Sequence, residues 1–171
     1  MKTKIGFTWM SVAAMLVMMA FITGSCNKDS DPPPYYVKAL IDGIELNNTG
    51  YAVAEFTNIV TTGHQACTIE GKGASYETNN LLTLVVVDID PITTKEYTSV
   101  MVAGAIQAKI NYTDKNGAEF SSIFSSAPDA VITVTGITAT EVTGTFSGTL
   151  NSSSSSRVVS VTNGLFKVQI L

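Results

Sequence analysis

Between Val142 and Leu150 the chain alternates without a break, with Val142, Gly144, Phe146, Gly148 and Leu150 on one side and Thr143, Thr145, Ser147 and Thr149 on the other. Successive side chains of an extended strand point to opposite faces, so a strict period of two describes a strand with one buried face and one wet face. The inner glycines leave space for Phe146 or for a large side chain from a facing sheet, and they let the strand bend. Ile132 and Val134 set against Thr133 and Thr135 give the preceding strand, with 136–140 as the connection. Arg157 to Val161 and Leu165 to Ile170, split by Asn163-Gly164, read as two strands that close the chain.

The same pattern recurs upstream. Tyr36 to Ile41 and Ile44 to Leu46 flank Asp42-Gly43, a dipeptide suited to the positive φ values of a tight hairpin turn. Ile106, Ala108, Ile110 and Tyr112 alternate with Gln107, Lys109, Asn111 and Thr113, and Asp114-Lys115-Asn116-Gly117 turns the chain back toward Ala118 to Ile123. Further runs lie at Tyr51 to Phe56, Ala66 to Glu70, Leu81 to Asp88 and Tyr97 to Val102. Leu81 to Val87 is almost wholly apolar and fits a central strand covered on both faces. The segment from Ser99 to Ala105 admits a turn of helix, and the run Ser152 to Ser156 reads as a flexible hairpin loop. Roughly ten short strands between turn signals predict an all-β domain over 35–171, an antiparallel β-sandwich or barrel-like fold.

The first 34 residues belong to a different regime. Met1-Lys2-Thr3-Lys4 is a short basic segment, and Ile5 to Ile22 is nearly all apolar, the layout of a secretory leader. A retained membrane helix is the competing reading, since a span needs about 20 apolar residues. Thr23-Gly24-Ser25 decides between them, because small residues directly before Cys26 let a peptidase admit the extended backbone next to the scissile bond, and Lys28 is the only basic residue just beyond. Ile22-Thr23-Gly24-Ser25-Cys26 resembles a lipobox, which implies cleavage after residue 25 and a diacylated Cys26. Such a cysteine supplies the two or more acyl chains that stable membrane attachment requires. The stretch 26–34 is then a tether: Asn27 to Asp31 is polar and acidic, and Pro32-Pro33-Pro34 favours an extended, stiff backbone. Asp29 and Asp31 just after Cys26 also resemble a signal that sends lipoproteins to the outer face of the outer membrane.

The lipobox, the acidic and proline-bearing spacer, the early strand-turn-strand, and the late segments Thr143 to Thr149 and Val161 to Phe166 together resemble the uncharacterised small all-β lipoproteins of the Bacteroidetes phylum. The resemblance spans nearly the whole chain. Its motifs specify strands and turns and carry no chemistry, and Leu46 stands where members often have a tryptophan.

Composition narrows the function. The formal charge is −4, and removing Lys2 and Lys4 with the leader leaves 8 basic against 14 acidic residues, with Arg157 the only arginine. Phosphate binding needs clustered Lys and Arg, so nucleic acid is not an expected partner. His64 is the only histidine and no G-x-S-x-G elbow occurs, which leaves little for a nucleophilic triad. With Cys26 lipidated, only His64 and Cys67 remain as soft ligands, too few for zinc. Cys67 reads as a small buried apolar residue. Asp88-Ile89-Asp90-Pro91 places two carboxylates on one side of an extended segment, where calcium is one reading and a proline-stopped strand end is the other. Tyr35, Tyr36, Tyr51, Tyr76, Tyr97 and Tyr112 serve either a binding platform or the core and its rim.

The expectation is therefore a lipid-anchored outer-membrane lipoprotein, at the cell surface or on the periplasmic side. Its domain acts as a non-catalytic binding or interaction module for a glycan or envelope protein, without cofactor, metal or catalytic residues. The alternative is an envelope hydrolase acting on glycans, which needs two carboxylates, from among Asp88, Asp90, Glu96 and Glu119, opposed across a pocket with one pKa raised.

Overall fold

Closing a sheet on itself fixes this architecture. The computed structural model describes residues 35–60, 62–73 and 80–171, so the leader, Cys26, the tether and Tyr76 lie outside the described residues. Within them run thirteen strands and no α-helix: β1 (Tyr36–Ile41), β2 (Ile44–Asn48), β3 (Tyr51–Ile59), β4 (His64–Lys72), β5 (Leu81–Asp88), β6 (Glu96–Thr98), β7 (Met101–Val102), β8 (Ala105–Ile106), β9 (Ala108–Thr113), β10 (Glu119–Ser121), β11 (Val131–Ile137), β12 (Glu141–Ser152) and β13 (Val158–Ile170). Eleven form one sheet in the order β2-β1-β13-β3-β4-β5-β9-β10-β12-β11-β6, while β7 and β8 pair separately. Because β13 also pairs with β12, the path through β3, β4, β5, β9, β10 and β12 returns to its start. The domain is all-β and barrel-like.

The expected antiparallel sheet is in fact mixed, and the ring explains why. Seven strands make the closed path. An odd number of strands cannot alternate direction all the way round, so at least one neighbouring pair must be parallel. That pair is β13 with β3, joined through Gln169 opposite Val53 and Ile170 opposite Ala54.

Strand β13 is one element where the sequence suggests two. Asn163 has a positive φ of 52°, yet the chain does not turn there. Phe146 lies opposite Gly164 and Gly148 opposite Val161, so β13 carries an extra residue against β12. The same slip occurs against β1, between Lys38 opposite Leu165 and Leu40 opposite Thr162. Asn163-Gly164 is thus a bulge held between two partners, which bends and twists the strand instead of ending it. Gly144 faces Phe166 and Phe146 faces Gly164 across the ladder. Each ring covers the opposite glycine, with the two rings 6.4 Å apart. The room left by the inner glycines is therefore filled from the neighbouring strand, an arrangement that protects strand glycines and pins register.

Two other expectations change. Strand β5 buries Leu82, Leu84 and Val86 but leaves Leu81, Thr83, Val85 and Val87 half-buried, so only one of its faces is fully covered. The segment from Ser99 to Ala105 holds no helical turn. Ala103 and Gly104, with φ of 48° and 88°, make the two-residue turn of the β7–β8 hairpin, where both central residues need positive φ. The same geometry joins β1 to β2 at Asp42 and Gly43, with φ of 50° and 79°, as the dipeptide predicts.

Both ends of the ring are covered. The β1–β2 hairpin lies at the end where β5 begins: Val37 presses on Gly71, and the buried Asn48 amide donates to the carbonyls of Gly71 (2.8 Å) and Asn80 (2.9 Å). At the opposite end the segment 89–98 brings in Ile92 and Tyr97, both buried. Gln65 Oε1 accepts from the Ile92 amide at 2.7 Å, and the Tyr97 hydroxyl accepts from the Thr93 amide at 2.9 Å and donates to its carbonyl at 3.1 Å.

A Cβ on Gly144 would meet the Thr133 carbonyl and the Phe166 ring, whereas one on Gly73 meets nothing within 4 Å. Gly144→Ala is expected to lower unfolding free energy by about 2 kcal/mol and Gly73→Ala by less than about 0.5 kcal/mol. Urea titration of the two variants checks this difference.

Candidate functional site

Two turns that sequence alone marks as simple reversals build a cleft at the end of the ring where β5 begins. Asp114 starts the β9–β10 loop, and its Oδ1 accepts from the amides of Asn116 (2.8 Å) and Ala118 (3.0 Å), which folds the loop tightly. Its Oδ2 accepts from Arg157 Nη1 at 3.2 Å. That guanidinium lies 4.9 Å above the centre of the Phe120 ring, and Phe120 stacks on Tyr112 at 6.1 Å. The Tyr112 hydroxyl donates to Asn80 Oδ1 at 3.3 Å. From the other side, Asp42 clamps the β1–β2 turn onto β13: its amide donates to the Ser160 carbonyl (2.9 Å) and its Oδ1 accepts from the Ser160 amide (2.8 Å).

Between these walls is a cleft of about 350 Å³, bordered by Glu45, Leu46, Asn80, Tyr112, Asp114 and Arg157. The volume lies within the ~300–1,000 Å³ of small-molecule sites. Arg157 spends one of its donors on Asp114 and its side chain remains 53% exposed, and among the described residues the rest of the fork makes no hydrogen bond. An aromatic ring, an amide, a guanidinium and carboxylates set beside Leu46 suit a polar, hydroxyl-rich ligand that also has an apolar face.

Protonation follows from the same contacts. Burial pushes the Asp114 carboxyl up, but the Ala118 and Asn116 amides and Arg157 outweigh it and hold the group below its ordinary value of 3.8. Burial raises the Tyr112 hydroxyl, helped by the charges of Asp114 and Asp42 and partly offset by Arg157.

The acids singled out by sequence do not meet in one pocket. Asp88 and Asp90 lie where β5 ends, Glu119 sits opposite Thr113, which pairs with Leu81 where β5 begins, and Glu96 belongs to the edge strand β6. Asp88 is buried and committed: Oδ1 accepts from the Ile89 amide at 2.8 Å, and Oδ2 is paired with Lys95. Burial raises its carboxyl, but the Lys95 hydrogen bond, the Asp90 amide, the Lys95 charge and the Ile89 amide together hold it below 3.8. A general acid in a glycosidase needs the opposite displacement. Asp90 is exposed, and among the described residues no group of three or more His, Cys, Asp or Glu side chains assembles around a common point.

Nor, among the described residues, do the tyrosines form a platform. Tyr97 and Tyr112 are buried, while Tyr36 and Tyr51 are half-buried under Lys38 and Lys72, each ammonium 4.9 Å from its ring centre. Cys67 is a buried free thiol, as its apolar surroundings predict, and burial pushes it up to about 12, far from a reactive thiolate. What sequence reasoning missed is the cleft itself, since Asp114 and Arg157 are 43 positions apart and only the fold brings them together. No protein-family model, curated protein or solved structure matches this chain.

Asp88 and Asp114 both have native pKa values depressed from 3.8. The stability they contribute is complete above the unfolded-chain value and is lost as pH falls through the native values. The urea midpoint is expected to hold steady from about pH 7 to about pH 5 and to fall steeply below about pH 4. In an Asp88→Asn/Asp114→Asn double variant the acid limb should be shallower, with the midpoint lower at neutral pH.

Proposed function

We infer that this chain is a lipid-anchored envelope lipoprotein whose barrel-like domain is a non-catalytic binding module for a glycan or for another envelope protein. The observation that carries the binding role is the cleft of about 350 Å³ in which Tyr112, Asn80, Arg157 and Glu45 converge. Sugars present hydroxyls that both donate and accept, together with patches of C–H surface. An arginine fork, an amide and a carboxylate beside Leu46 match that mixture.

Support for the anchor comes from the sequence: the basic start, the apolar run to Ile22 and the small residues before Cys26, followed by an acidic and proline-rich tether. The resemblance to small Bacteroidetes lipoproteins points the same way. The glycan-hydrolase alternative draws less support, because Asp88 and Asp114 are both held in their charged forms by structural bonds.

Two experiments test the two halves. On an array of envelope and extracellular glycans, the purified chain is expected to bind a defined subset without shortening it. Glu45→Gln and Arg157→Lys should each weaken that binding about tenfold while leaving the circular dichroism unchanged. Product release from any glycan would support the hydrolase, and binding indifferent to both changes would remove the cleft from the account. For the anchor, Cys26→Ala should move the protein from the membrane fraction to the soluble one. A variant held as firmly as the parent would make the apolar run a retained helix instead.

A further inference from the structure

One side of the Arg157 cleft is the edge of a strand. Alternate residues of an antiparallel pair turn their amides and carbonyls toward the partner, and those between turn them away. The tight turn at Asp42 and Gly43 makes Ile41 and Ile44 a bonded pair, so Ile44, Leu46 and Asn48 face β1 with their backbone groups. Glu45 and Asn47 present theirs on the other side. Strand β2 ends the sheet, and among the described residues the amides and carbonyls of Glu45 and Asn47 have no backbone partner. Natural edges are guarded by proline, lysine or a bulge. Strand β2 has none of these: it reads Ile-Glu-Leu-Asn-Asn, and its register against β1 runs without a shift. Ile44, Glu45 and Leu46 line the cleft. The strand starts beside Asp42, which is bonded to Ser160 on the segment that follows Arg157, and it finishes at Asn48, bonded to the Asn80 carbonyl. Arg157 therefore stands toward the first residues of the edge and Asn80 toward the last.

We propose that the cleft takes the carboxyl-terminal segment of a partner protein, which lies antiparallel to β2 as an added strand and ends with its α-carboxylate on Arg157. The inference rests on the cleft being the binding site and names its ligand. Glu45 can exchange two backbone bonds with one peptide residue, and the pattern repeats at Asn47 with the spacing of an extended chain. Sugar hydroxyls have no such repeat. Direction follows from charge. The guanidinium is held by Asp114 and lies over the Phe120 ring, so its remaining donors are already oriented for a carboxylate. Lys115 adds a second positive charge to the lining, while Asp114 is paired with Arg157 and Asp42 Oδ1 is taken by the Ser160 amide. A terminal carboxylate reaches the Arg157 end only if the added strand runs antiparallel to β2. Residues paired across a ladder share a face. The last peptide residue then falls opposite Ile44, which is 74% exposed, and the antepenultimate one opposite Leu46, so both are apolar. The penultimate residue stands opposite Glu45 and is basic or hydroxylated.

The test presents the purified chain with two fluorescent peptide libraries randomised over their final residues, one ending in a free carboxylate and one amidated, and reads binding by anisotropy. The free-carboxylate library should yield binders with the apolar, basic or hydroxylated, apolar ending. Amidating a selected peptide should weaken it about tenfold, and Arg157→Lys, which keeps the charge but loses the planar fork, should do the same. N-methylation of the penultimate residue, whose N–H faces Glu45, should cost about tenfold or more. The same change at the antepenultimate residue, whose N–H points away from β2, should cost nothing. These peptide changes leave the protein untouched, so no variant has to fold for the result to count. Binding indifferent to amidation or to penultimate N-methylation would overturn the proposal. So would a dimer of the chain that no peptide dissociates, which would put a second copy on the edge. Failure of both libraries while a glycan binds in the cleft would overturn the proposal and leave the cleft as the binding site. If neither peptide nor glycan binds, both readings fall together.

Discussion

The structure depends on how one strand serves three neighbours. Strand β13 lies along β12 on one edge and along β1 and then β3 on the other. The extra residue at Asn163 bends and twists β13 within the stretch that pairs with β1 on one edge and β12 on the other, and each phenylalanine ring covers a glycine of the facing strand. The sheet closes into a ring, and its outer branches end in the short strands β2 and β6.

Closure also decides where charge is useful. Inside the ring there is room only for apolar side chains, so the buried acids, Asp88 and Asp114, lie near opposite ends of strands where turns provide amides and a cation. Each acts as a clasp for the loop that follows it. Both carboxyls are thereby held in their charged forms by the loops they fasten.

The strands were legible because alternation is a local property. From Val142 to Leu150 the inner assignments match the burial seen at every position but Gly148, which is half-buried, and Asp42-Gly43 adopts the turn its composition requires. Asn163-Gly164 misleads for a physical reason: the same left-handed conformation serves a hairpin turn and a bulge, and the choice is made by β1 and β12, which lie far off in the sequence. Closure, the parallel pair and the Asp114–Arg157 clasp are equally non-local. His64 and Asp90 were visible as chemical groups, but their sharing of a recess follows from the pairing of β4 with β5, which spacing does not encode.

Because the ring is locked by the last strand, the order of synthesis opposes the order of assembly. The first strand, β1, finds its partner β13 only when nearly the whole chain is available, and β3 waits for residues 169 and 170. A chain still leaving the ribosome can form its local hairpins but not the barrel, and long-range closure of this kind slows folding. A variant in which residues 169 and 170 cannot pair keeps every hairpin turn and still lacks the parallel contact that completes the wall.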